Sequence, residues 1–241
     1  MFIIFRTTMI TIRKKTERGL TKLDWLTSYH SFSFDHYFDP AHHQFGPLRV
    51  LNDDIIEAGA GFGAHPHRDM EIVTYVLEGE LEHRDSTGGN GVIGANEVQR
   101  MTAGTGIVHS EYNHSPEQRV RLLQIWFLPN RTGLTPGYEQ KKFAKENRKN
   151  IMLLVASPTA EGESVHINQD VQMFISYIDQ SKRITHSFNE NRSGYLFVAS
   201  GELAVGGFTI GAGDAAEITN EKTIEITATS ELELVLFDLN K

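Results

Sequence analysis

Two short stretches carry residue types that could do chemistry. In "GAGFGAHPHRDMEIVTYVLEGE", residues 59–80, His65 and His67 bracket a proline behind a glycine-rich run, and Glu71 follows. In "MTAGTGIVHSEYN", residues 101–113, His109 and Glu111 again stand two apart. In a β-strand, residues i and i+2 point to the same face. Each pair would therefore aim into one space. Two such pairs on facing strands would converge three imidazoles and one carboxylate. That donor set suits Fe, Mn, Ni, Cu or Zn. A sulfur-rich structural zinc site is excluded, because the chain has no cysteine. Three neutral imidazoles and one carboxylate around a divalent ion leave a single net positive charge, which favours one anionic oxygen ligand. Spacing alone leaves Glu71 open as an alternative ligand to Glu111. In a regular strand it would share a side with His65 and His67.

The elements that must position these residues read as strands. "EIVTYVLEGELEHR", "RLLQIWFLP", "QMFISYID" and "TIEITATSELELVLFDL" are rich in β-branched and aromatic residues, and several alternate apolar with polar. Pro66 cannot donate to a sheet ladder, so the HPH strand is expected at an edge or a strand start. The sequence also repeats itself. "YVLEGEL" (75–81) aligns with "FVASGEL" (197–203), and "GANE" (94–97) aligns with "GAGD" (211–214) in the same order. Two halves of this kind predict a duplicated β-barrel. Carried through the repeat, His65, His67 and Glu71 fall on Ser187, Asn189 and Ser193, and His109 and Glu111 fall on Ile226 and Ala228. The second half thus lacks the ligand set. Long helical patterns are scarce; a short helix is expected over "TPGYEQKKFAKENRKN", its basic run forming a solvated linker or helix face.

Composition narrows the function classes. A 39% hydrophobic and 22% charged content fits a globular chain and not a disordered one. The formal net charge of −8 gives no counterion-release attraction to nucleic acid, so direct nucleic-acid binding is not expected. The apolar stretch before Arg6 is too short for a secretory core of about 7–15 residues. No run approaches the ~20 apolar residues of a membrane span. The expected compartment is the cytoplasm. Met9 begins a more ordinary opening, "MITIRKKTERG", so residues 1–8 read as an extension. The glycine-rich runs lack the GK[ST] ending of a phosphate loop, and no nucleophile elbow is present.

"GAGFGAHPHRDMEIVTYVLEG" resembles the first motif of the cupins. Gly59, His65, His67, Glu71 and Gly79 fit it, with one extra residue before Gly79. "GTGIVHSEYN" resembles the second motif through Gly106, His109 and Asn113, while Gly104 stands where proline is usual. Within the cupins the chain resembles the pirins, in particular the bacterial pirin-like proteins. "ERG", "DWLTSYHSFSF", "LRVLNDDIIEAG", "HPHRDMEIVTYVLEG", "MTAGTGIVHSEYN" and "YEQKKF" carry that resemblance, from Met9 to Phe143.

The resemblance implies an all-β bicupin of two jelly-roll-type β-barrels with few short helices. Residues 1–135 would form the metal-bearing barrel, 136–150 a linker and 151–241 a barrel without metal. It implies His65, His67, His109 and Glu111 as ligands of one divalent transition metal, iron first, with Zn, Cu, Mn, Ni or Co as others. Glu111 would be ligand and base in turn. The implied activity is that of a quercetin 2,3-dioxygenase, acting on a flavonol and O2. Two other readings stand beside it: a redox-sensing regulatory protein with a protein partner, and a different small-molecule cupin enzyme. The remaining histidines are expected to be structural. His30 and His36 flank an aromatic cluster read as packing. His42 and His43 sit in a loop, and His83, His114, His166 and His186 have no companions at ligand spacing.

Overall fold

A computed structural model describes residues 9–240. Residues 1–8, read above as an extension, lie outside them. The described chain is almost entirely strand. Its only helical elements are the 3-10 turns Lys15–Glu17 and Lys145–Arg148. No helix among the described residues is long and apolar enough to cross a membrane.

The chain divides into two compact units. One holds Arg18–Ala144 and Val155–Asp170; the other holds the strand Met9–Arg13 together with Lys145–Leu154 and the chain from Val171 on. These are not the divisions expected at 135 and 151. Alternating residues of Met9–Arg13 make it a strand, and it pairs antiparallel with Ala215–Thr219.

Over 136–150 the short helix expected from the sequence is replaced by other structure. Gly137–Lys142 is an edge strand pairing with Glu97–Thr102. Period-two alternation puts Tyr138 and Gln140 on one face and Glu139 and Lys141 on the other. The charges that suggested a helix face protect an edge instead. Glu139 accepts from Arg100 at 3.1 Å and pairs with Lys141 at 2.9 Å. Arg148, expected in solvent, is fully buried and paired with Glu233 at 2.8 Å.

In the N-terminal unit a seven-stranded sheet runs in the order Gly137–Lys142, Glu97–Thr102, Glu71–Glu78, Val120–Phe127, Leu48–Ile56, Leu26–His30, Gly19–Lys22. A four-stranded sheet runs Gly61–His67, Ile107–Asn113, Glu80–Asp85, Asn90–Gly94. Pro66 thus lies in an edge strand, as its missing N–H requires. An apolar layer including Leu26, Ile56, Val76 and Leu122 of the large sheet and Leu81 and Ile93 of the small one packs between them. No pairing among the described residues joins the two sheets, so this is an open cupin-type sandwich and not a closed barrel.

The sequence repeat marks where the chain changes sheets. At Gly79 it leaves Glu71–Glu78 and enters Glu80–Asp85; at Gly201 it leaves Arg192–Ser200 and enters Glu202–Val205. Both glycines have φ near +80°, at 78° and 79°. A Cβ at Gly79 would come 2.7 Å from the Arg119 carbonyl oxygen, and one at Gly201 would come 1.9 Å from that of Glu231. The return corners match as well. Asn96 and Gly213 take positive φ, and Glu97 and Asp214 each accept the backbone N–H three residues back, from Gly94 and Gly211, at 3.1 Å.

The C-terminal unit places Met9–Arg13, Ala215–Thr219, Arg192–Ser200, Leu232–Asn240 and Val171–Ile178 side by side, with a four-stranded sheet on Thr223–Ala228. Ile226 and Ala228, the repeat equivalents of His109 and Glu111, are buried in its apolar core with Leu203, Ile218 and Leu234.

The corner glycine Gly201 and Gly207, in the turn between Glu202–Val205 and Phe208–Gly211, give a graded test. Gly207→Ala, where φ is +82° and no atom lies within 4 Å of the new Cβ, should cost about 1 kcal/mol from left-handed strain. Gly201→Ala should cost about 1–3 kcal/mol more through its carbonyl clash. Chemical denaturation of both variants measures the difference.

Candidate metal centre

Local structure explains how the ligating side chains meet. Gly61–His67 pairs antiparallel with Ile107–Asn113, setting His65 opposite His109 and, past a bulge, Phe62 opposite Glu111. The bulge adds one residue to the first strand. Phe62 and His65, an odd number apart, therefore both face one cavity. The glycines have a packing role here, not a phosphate-binding one: a Cβ at Gly61 would sit 2.2 Å from the Glu111 carbonyl oxygen.

His65, His67 and His109 converge. Their ring centroids lie 4.8, 4.4 and 4.8 Å apart, and each offers a ligating atom within 4.8 Å of the others. His65 Nδ1 donates to the Gly63 carbonyl at 2.8 Å, which leaves its Nε2 as the lone-pair nitrogen. His67 Nε2 and His109 Nε2 are buried and have no hydrogen-bond partner, as is Glu111 Oε1. Burial, then the neighbouring His65, lowers the His67 imidazole to about 4. Burial lowers His109 to about 2, with the adjoining imidazoles adding to the effect. Both rings are therefore neutral near pH 7, as metal ligation requires. Three orphaned atoms and a fixed His65 tautomer fit a divalent transition metal.

Glu111 stands in a second group, with His83 and His109, also within 4.8 Å. Its Oε2 accepts from Gln124 Nε2 at 3.0 Å. Burial pushes its carboxyl up to about 7. Glu71 points elsewhere. Asp69, at φ 48°, turns the chain after His67, and Glu71 opens a strand of the large sheet. Its carboxylate accepts from the Asn168 backbone at 3.0 Å and from the Asn168 side chain at 3.3 Å. It belongs to neither ligand group.

His83 has companions that its treatment as an isolated residue missed. Register on Ile107–Asn113 sets Asp85 opposite His109 and His83 opposite Glu111. Asp85 accepts from His83 Nε2 at 3.0 Å, so His83 Nδ1 faces His109 Nδ1 at 3.4 Å as the acceptor. His83 Nδ1 thus faces two donors, Gln99 Nε2 at 3.4 Å and, when its proton is on Nδ1, His109, which then presents Nε2. The signal was available: His83 and Asp85 also stand two apart.

A cavity of about 440 Å³ opens beside the histidines. Trp25, Phe34, Phe62, Ile72 and Trp126 supply apolar wall. His30 and Phe34 line it, so the aromatic cluster is more than packing, while His36 stays exposed beside Asp35. A row of polar side chains crosses five strands of the large sheet, and three of them, His30, Asn52 and Gln124, form the cavity floor. Register aligns His30 with Asn52, Asn52 with Gln124, Gln124 with Thr74 and Thr74 with Gln99. Next to it, Ser28 pairs in register with Asp54. Burial pushes the Asp54 carboxyl up to about 7 against an opposing hydrogen bond from Ser28. Ligand spacing flagged none of Asn52, Asp54, Gln124 or Gln99, although Asn52 and Asp54 lie within the stretch "LRVLNDDIIEAG".

The C-terminal unit has no such centre. Among the described residues, both potential ligand groups lie in the N-terminal unit. His186 is a buried core histidine whose Nε2 meets Asp238 at 2.8 Å.

Two sheet pairs of this kind, one bearing a histidine cluster over a cavity, define a two-domain cupin protein. The Pirin family matches residues 12–127, and the quercetinase C-terminal cupin domain matches residues 154–239. The quercetin 2,3-dioxygenase of Escherichia coli K12 is 44% identical over 231 residues, covering 96% of this chain and 99% of the relative. A pirin-like protein of Caulobacter vibrioides is 40% identical over 215 residues, 89% of this chain and 92% of its own. The crystal structure of bacterial pirin YhhW from Escherichia coli in complex with nickel(II) superimposes with a TM-score of 0.92 at 44% identity, covering 96% and 99%. The chain belongs to the pirin family.

Metal titration by calorimetry tests the ligand set. His67→Ala should lose tight binding. His83→Leu should bind about 10–100-fold more weakly, as the loss of a ligand's orienting partner predicts. Glu71→Gln should keep full stoichiometry.

Proposed function

We propose that this protein is a metal-dependent flavonol dioxygenase of the quercetin 2,3-dioxygenase type, with a flavonol-like aromatic and O2 as its partners in the cytoplasm. The observation that carries the reading is the apolar-walled cavity of about 440 Å³ ending on three converged histidines and Glu111. Its volume is in the range of small-molecule sites. The name carried by the Escherichia coli relative, 44% identical along nearly its whole length, supports the same activity. A regulatory redox centre would have no use for an apolar cavity of this size beside its ion.

His65, His67 and His109 would hold the metal, with Glu111 as the carboxylate. A bound divalent metal would supply Lewis acidity toward an enolic hydroxyl and one-electron chemistry toward O2. The chain's own residues do the rest. Trp25 and Phe62, edge to face at 5.1 Å, and Phe34 and Trp126, at 5.4 Å, form fixed apolar walls for a flat ring system and exclude water from it. Gln124 holds Glu111 by Oε2, leaving Oε1 to take the hydroxyl proton of the bound flavonol. Thr74 donates to Gln124 Oε1 at 3.3 Å, which fixes the amide so that its N–H faces Glu111.

Quercetin absorbance followed with and without oxygen tests the proposal. Oxygen-dependent loss is expected from the metal-loaded protein, and its absence with each of Fe, Mn, Ni, Co and Cu would refute the reading. Glu111→Gln should lower turnover by about 10²–10⁴-fold, the contribution of a positioned base, while metal content falls much less.

A further inference from the structure

One part of the cavity floor takes no part in holding the metal site. Gln124 and Thr74 brace Glu111, and Gln99 reaches His83 at 3.4 Å. The other end of the row, His30 and Asn52, has its own bonds: His30 Nδ1 meets Asn52 Oδ1 at 2.9 Å and Nε2 meets Thr21 Oγ1 at 2.8 Å. Asp54, beside them, is different. It is 4% exposed, lines the cavity and takes a hydrogen bond from Ser28, yet its Oδ1 is buried without any partner. Nothing on the strand explains this carboxylate. Its neighbour Asp53 already holds Arg121 through both oxygens, at 2.9 and 3.0 Å.

The chemistry of the missing partner is constrained. A carboxylate oxygen lacking a partner asks for a donor. A deprotonated, anionic group has no proton to give that oxygen. The surrounding wall is aromatic, which suits a ring more than a sugar or a flexible chain. A neutral hydroxyl on a flat ring meets all three conditions.

We infer that Asp54, braced by Ser28 and flanked by His30 and Asn52, is a specificity-determining residue that accepts a hydrogen bond from a phenolic hydroxyl other than the one offered to the metal. The cavity therefore selects polyhydroxylated aromatics over otherwise similar rings without those hydroxyls. This deepens the flavonol reading and rests on it for the ligand class. A site built to bond a hydroxyl rejects the analogue lacking it, because its buried acceptor is then left unpaired.

Binding to the zinc(II)-loaded protein tests this without turnover. The chain's two tryptophans, Trp25 and Trp126, both line the cavity, so fluorescence quenching reports occupancy. Quercetin should bind at least about ten-fold more tightly than 3-hydroxyflavone, which has no other hydroxyl. Asp54→Asn should remove most of that preference by weakening quercetin and leaving 3-hydroxyflavone within about two-fold. Zinc content should be unchanged. The thermal midpoint should hold or rise, since a buried carboxylate lacking one partner is relieved. Ser28→Ala, which removes only the brace, should shift the preference the same way by a smaller factor and serves if Asp54→Asn fails to fold. Parallel loss of both ligands, no change in either, or a lowered midpoint with the preference intact would overturn the inference. A protein that keeps the Asp54-dependent preference but consumes no quercetin refutes the dioxygenase reading alone. Aerobic turnover without that preference refutes this one alone.

Discussion

Across the inner face of the N-terminal unit's large sheet, His30, Asn52, Gln124, Thr74 and Gln99 lie in a single register row, and burying such groups is costly unless each is hydrogen-bonded. That requirement organises the surroundings. His30 is held between Thr21 and Asn52, Gln124 between Thr74 and Glu111, and Gln99 reaches toward the His83–Asp85 pair. A network of this kind fixes side chains more firmly than apolar packing does. His67 Nε2, His109 Nε2, Glu111 Oε1 and Asp54 Oδ1 still lack a partner, and each belongs to a residue that lines the cavity. Buried polar atoms left open on a cavity wall are what a binding site requires of its lining.

The second unit answers the same topology in the opposite way. Its repeated corners, with Gly201 for Gly79 and Asp214 for Glu97, preserve the sheet crossings. At the ligand positions, Ile226 and Ala228 join an unbroken apolar core. The central strands and their corners are shared, and at the ligand positions the difference lies in a few inward-facing side chains.

The sequence disclosed what depends on local geometry. The Gly-Glu corners are visible because positive φ and a close carbonyl leave little choice but glycine. The HxH and HxE pairs are visible because strand period is two. Glu71 misled because the turn at Asp69 breaks that period between His67 and the next strand. The 137–142 segment misled because its lysines mimic a helix face, while their alternation serves an edge. Asn52, Asp54, Gln124 and His83 stayed hidden for another reason. Their partners lie largely on other strands: Asn52 meets His30, Asp54 meets Ser28, Gln124 meets Glu111 and His83 meets His109. Only cross-strand register brings them together, and register is a property of the folded sheet.

Gly61–His67 has one neighbour in its sheet, Ile107–Asn113, and its other edge is open. Edge strands are held by a single ladder and are natural places for local opening. Two of the three clustered histidines sit on that strand, and the third sits on the strand beside it. An ion bound among them is therefore also a clasp, adding cross-strand links where the ladder is weakest. Metal uptake and release become coupled to the breathing of this edge: amide exchange along Gly61–His67 will be slow when the clasp is closed. The route by which an ion enters is then set by backbone motion as much as by the affinity of the nitrogens that receive it.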